Sequence, residues 1–213
     1  MHYSKYRLLS LLVVLFTLMN SQLSYGQFGY GLTATTELYS RFRNPSDATG
    51  ASPSAGSALI NLGVGPKIWF GNKKRSLSLE ALANIHPFAL STADYKGIGA
   101  VSFPIMAKFN FNGLSGLERE GLLGFSIGGG IQYSRTELFG VTQEYKNLGV
   151  NRSMHRVYIV QAGYGFGVSG ACLAGFVRYG FNPDNEAKYL SVGVQYDFNF
   201  PLLRKISSPE SEL

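Results

Sequence analysis

Between residues 28 and 42 the chain alternates with period two. Phe28, Tyr30, Leu32, Ala34, Thr36, Leu38, Ser40 and Phe42 fall on even positions, and Gly29, Gly31, Thr33, Thr35, Glu37, Tyr39 and Arg41 on odd ones. Successive strand side chains point to opposite faces, so this run predicts a strand with one oily and one polar side. A second run sets Ile60, Leu62, Val64, Pro66, Ile68 and Phe70 against Asn61, Gly63, Gly65, Lys67 and Trp69. The third, over 76–89, opposes Leu77, Leu79, Ala81, Ala83 and Ile85 to Ser76, Ser78, Glu80, Asn84 and His86. In the fourth, Val101, Phe103, Ile105, Ala107, Phe109 and Phe111 oppose Ser102, Lys108 and Asn110. The fifth places Phe125, Ile127, Gly129, Ile131 and Tyr133 opposite a glycine-rich face with Ser126 and Gln132. The sixth carries Tyr158, Val160, Ala162, Tyr164, Phe166 and Val168 against Gln161 and three glycines. The seventh shows Leu173, Val177, Tyr179 and Phe181, with Cys172, Arg178 and Gly180 behind. An eighth, over 189–200, ends the pattern, and the tail 201–213 loses it.

The connections alternate in length. Turns at 71–74, 112–121 and 169–170 fall on one end, and loops at 43–57, 91–97, 135–156 and 182–188 on the other. An even number of antiparallel strands with short inner turns and longer outer loops is the pattern of an all-β, up-and-down transmembrane barrel. Closure is obligatory there, because hydrocarbon cannot satisfy an open strand edge. A soluble eight-stranded barrel of the lipocalin kind is the alternative, with the oily face turned inward. Three features favour the membrane. The polar face is crowded with small residues, its few charges carry both signs, and rings collect near strand ends at Phe28, Tyr30, Phe42, Phe70, Phe111, Tyr133, Phe181 and Phe200. Against the assignment stand Pro66, Pro87 and Pro104, which fall inside runs although proline cannot donate to a ladder.

Composition adds the compartment. The 213 residues include 26 Gly, 15 Phe and 13 Tyr but only 15% charged residues. Lys5 and Arg7 precede an apolar core over 8–19, and Ser24 and Gly26 precede an expected cleavage that leaves Gln27 first. That layout predicts an export signal over 1–26, the barrel over 27–200 and a periplasmic tail over 201–213. The formal charge of +6 is spread thinly, with Lys73, Lys74 and Arg75 as its only cluster, so no nucleic-acid face is expected. A single Cys172 excludes an intrachain disulfide.

The last run reads as a polar residue, then Gly, then alternating aromatic and apolar residues, at Ser191, Gly193, Tyr196 and Phe198. It is similar to the C-terminal assembly signal of outer-membrane barrels. With the eightfold pattern, residues 27–200 resemble the small OmpA/OmpX-type barrels and the outer-membrane β-barrel domain family common in Bacteroidota. That resemblance implies a monomer in the bacterial outer membrane, held by lipid and inserted by the barrel-assembly machinery.

The inward charged set is Glu37, Arg41, Lys67, Glu80, Lys108, Arg178 and Asp197. Buried charges need partners. If Lys73 and Lys74 form a two-residue hairpin tip, Lys67 stands opposite Glu80 and an ion pair follows. A filled lumen is favoured over a selective pore, since side chains just fill eight strands. At the outer rim of the sixth run, Ser153 and His155 form the one Ser/His neighbour pair, with Glu137 or Glu144 as third member, and a solvated loop edge is the preferred reading of it. His86 is expected to be a hydrogen-bonding lumen residue rather than a metal ligand, and no cofactor is expected. In the 135–156 loop, Leu138, Phe139, Val141, Tyr145 and Leu148 either pack over the mouth or offer a surface ligand a grip. The expected role is non-enzymatic, structural or surface-binding, with a lipid A-modifying enzyme or a small-solute channel as alternatives.

Overall fold

Strands of this composition bury their backbone polar groups by pairing, and here the pairing closes on itself. The computed structural model describes residues 27–45, 54–91, 97–117, 122–139, 153–168 and 170–202. The expected export signal at 1–26, Glu144, the centre of the 135–156 loop and the tail beyond 202 lie outside the described residues. The strands are β1 (Gln27–Arg43), β2 (Ala55–Gly71), β3 (Arg75–Ala81), β4 (Ala83–Ser91), β5 (Ile98–Asn112), β6 (Leu123–Phe139), β7 (His155–Val168), β8 (Ala171–Phe181) and β9 (Lys188–Asn199). Neighbouring staves pair antiparallel, β3 and β4 in succession fill the one place between β2 and β5, and β9 returns to β1. Among the described residues, nine segments therefore make eight staves, and no edge is left open.

The interrupted stave is the third predicted run, and its break has a local cause. Leu82 donates its N–H to the carbonyl of Pro104 at 2.9 Å, but Pro104 has no N–H to return. On the other flank, the register that sets Lys67 against Glu80 brings Pro66 beside the same break. Pro87 sits where β4 slips against β5 between His86 and Leu90. All three prolines thus occupy positions where the ladder is already irregular.

A second irregularity corrects the expected facing of four residues, Tyr39, Ser40, Arg41 and Phe42. The β1–β9 register moves from Glu37–Gly193 to Tyr39–Val192, so Leu38 and Tyr39 both face outward. On β2, Leu59 and Ile60 are likewise both exposed, with Ile60 at φ 52°. An extra residue inverts every facing beyond it. Ser40 and Phe42 are therefore buried, and Arg41, expected in the lumen, is on the outer surface. The strands also outrun the expected loops, since β2 begins at Ala55 and β6 continues to Phe139.

Inside and outside are reversed relative to a soluble barrel. Lys67, Glu80, Lys108, Asn110, Gln132, Arg178 and Gln195 are buried, while Leu62, Ile85, Ile105, Ile127, Val160 and Val177 are about half exposed. An apolar surface running right round a barrel far exceeds what dissolved monomers expose, which removes the lipocalin alternative. Rings edge the belt at both ends. Phe28, Tyr30, Phe70 and Phe200 touch near the turns, and Tyr158, Tyr179 and Phe181 touch near the loops. These match interface girdles.

Candidate functional site in the lumen and at the outer rim

The polar faces of the eight staves converge on one connected network. Glu80 on β3 lies 2.5 Å from the Lys108 ammonium on β5 and 3.3 Å from that of Lys67 on β2. Lys67 also reaches Asp197 on β9 at 2.6 Å. Gln195 is the junction. Its amide donates to Asp197 at 2.8 Å and to Glu80 at 3.1 Å, and its oxygen accepts from Lys108 at 2.8 Å and Gln161 at 3.1 Å. Arg178 on β8 donates to Gln161 at 2.9 Å and pairs with Glu37 on β1 at 3.0 Å. Glu37 also accepts from the Tyr189 hydroxyl at 2.5 Å and from Asn61 at 3.3 Å.

Of the inward charged set, six meet here and Arg41 does not. With Arg41 outside, three cations (Lys67, Lys108, Arg178) face three carboxylates (Glu37, Glu80, Asp197), so the mid-lumen is neutral as well as hydrogen-bonded. Burying that many charges is tolerable only with such mutual satisfaction. Gln161, Gln195 and Asn61 lie on the inward parity in the sequence, but nothing there names their partners. Tyr189 shares the inward parity of Ser191 and was legible in the same way.

Below this layer the connection after β5 folds into the barrel. Leu114, Ser115 and Leu117 are buried. Ser76 donates to the Ser115 carbonyl at 2.6 Å, and Asn199 donates to that of Gly116, also at 2.6 Å. Gly116 has φ +75° and lies so near Trp69 that a Cβ would stand 2.5 Å from the indole nitrogen. The fully buried Trp69 and this turn stopper the end that carries the short connections.

At the loop end, His86 shares a hydrogen bond of 2.9 Å with Ser102, and its other ring nitrogen is 3.8 Å from Glu37. A cavity of about 20 Å³ lies between His86, Ser102, Ser134, His155 and Tyr189, room for about one water. Ser153 is exposed ahead of β7, His155 begins that strand opposite Ser134, and Glu137 is buried near the end of β6 at φ 55°. Among the described residues, no three His, Cys, Asp or Glu side chains are grouped to hold a metal ion.

The four residues of the expected assembly signal all lie on β9. Ser191 and Gly193 face inward, while Tyr196 and Phe198 face outward against Leu173 and Ala171 of β8. A Cβ on Gly193 would stand 2.4 Å from the Thr36 carbonyl, so this position seats β9 closely on β1.

No protein-family model matches the chain, and no curated protein does. Among solved structures it is similar to the outer membrane protein OprG from Pseudomonas aeruginosa, at 13% identity and TM-score 0.41 over 81% of this chain and 95% of that one. It is similar to Ail, the attachment invasion locus protein of Yersinia pestis, at 10% identity and TM-score 0.48 over 82% and 99%. Neisserial surface protein A is also similar, at 10% identity and TM-score 0.45 over 82% and 99% of the two chains.

Proposed function

We propose that this chain is an integral outer-membrane barrel that neither conducts nor catalyses, and that acts through the surface it presents at its loop end. The observation that carries the reading is the neutral, cross-linked lumen above a stoppered turn end. Among the described residues, paired side chains cross this interior from wall to wall, which supports a closed lumen. What remains free to act is the outer surface and the loops, above all the connection between β6 and β7. Lipid is the partner of the apolar belt, and the barrel-assembly machinery is the partner of β9.

Two measurements test this on the full chain. The folded protein is expected in the outer-membrane fraction, with faster gel mobility unboiled than boiled. In planar bilayers it should give no resolved single-channel steps. Regular conductance steps abolished by boiling the protein would overturn the closed-lumen reading.

A further inference from the structure

We propose that the outward face at the loop end, across β7, β9 and β1, binds the phosphate-bearing headgroup of an outer-leaflet glycolipid. This rests on the membrane reading above. The β1 bulge turns Arg41 outward, two residues from Arg43, and Arg43 pairs directly with Lys188 across the β1–β9 ladder. Like charges directly opposed on one sheet face repel, so three cations on adjacent strands call for an anion. The described carboxylate that pairs with them is Glu186, 3.3 Å from Arg43, and both groups are solvent-exposed, which makes that pair weak. Arg41, Arg43, Lys188, Tyr179 and Leu190 line an open cleft of about 450 Å³.

Position selects a lipid over a free anion. Arg41 lies opposite Leu190 on the face that carries Val192 and Tyr179 toward the bilayer, so the cleft opens sideways into the interface. Arg156 continues the cationic arc on β7, its guanidinium 5.1 Å from the Tyr158 ring centre at girdle height. Guanidinium forks match phosphate oxygens, and aromatic rings at the same level match the sugar and glycerol zone. Among the described residues, the far flank carries apolar groups at this height. Leu59, Ile60, Phe88 and Leu90 are exposed there.

The test uses the refolded full chain in neutral detergent and native mass spectrometry. The probes are bisphosphorylated lipid A, its dephosphorylated form, and inorganic phosphate as competitor. The variant carries R41Q, R43Q and K188Q. Wild type should retain bisphosphorylated lipid A, and the triple variant should bind about a hundredfold more weakly, each interfacial cation contributing on the order of a factor of five. The dephosphorylated lipid should bind no better to wild type than to the variant, and millimolar phosphate should not compete. Equal retention of both lipids by wild type, or undiminished binding by a variant with normal heat-shifted mobility, would overturn the proposal. Displacement by phosphate would show a soluble-anion site and overturn it equally. If wild type is absent from the outer membrane, the membrane reading fails; if present but indifferent to phosphorylation, only this inference does.

Discussion

Glu80→Gln isolates the electrostatics of the lumen. The substitution keeps volume and a carbonyl oxygen, so it opens no cavity. It removes the charge that stands between Lys108 at 2.5 Å and Lys67 at 3.3 Å, in a side chain with no solvent exposure. Lys67 retains Asp197, so the stranded cation is Lys108. Three lumen cations then face two carboxylates, and breaking a buried pair from one side costs about 3–5 kcal/mol. Adding Lys108→Met restores neutrality, leaving Lys67 and Arg178 against Glu37 and Asp197. The double variant should therefore be more stable than Glu80→Gln alone. Urea unfolding in phosphatidylcholine vesicles, followed by fluorescence and by gel mobility, measures all four corners of the cycle. A Glu80→Gln cost below about 1 kcal/mol, or a double variant whose loss equals the sum of the single ones, would refute the argument.

Two further outcomes follow from the stoppered end. Gly116→Val places a side chain against the indole at a backbone angle that favours glycine, so it should cost about 1–3 kcal/mol. Because Trp69 is the only tryptophan in the chain, acrylamide quenching reads the result directly, and unchanged quenching would show that the turn does not cover it. Cys172 is buried, with its thiol 3.5 Å from the Gly113 carbonyl. It should resist maleimide in the folded barrel and label fully in urea, and equal labelling in both states would contradict the packing.

Facing was legible wherever strict alternation held, because period two is a property of each strand alone. That is why the sequence places Lys67, Glu80, Lys108, Arg178 and Asp197 inside, and why assuming a two-residue tip at Lys73 and Lys74 sets Lys67 against Glu80. It failed at Arg41 and Phe42 because a bulge is a relation between strands. The trace it leaves is two consecutive oily residues, Leu38–Tyr39 and Leu59–Ile60, at matching heights on paired staves. Pro87–Phe88 marks another. The Gln195 junction and the Gly116 stopper were hidden for a different reason. Their partners come from stretches far apart in the chain, and strand periodicity holds no information about where a turn folds back.

The network's span along the chain has a consequence for biogenesis. Glu37 meets Arg178 across 141 positions, and Lys67 meets Asp197 across 130. Glu80 finds Lys67 and Lys108 early, but Glu37 and Lys67 wait for Arg178 and Asp197 on the closing ribbons, and the Asn199 latch on Gly116 arrives last of all. A half-built cylinder must keep these groups hydrated, so water leaves the interior in the final step of closure rather than gradually. Sealing and completion are then a single event, and a chain cut short before its last ribbon would be left wet inside and vulnerable to periplasmic proteases.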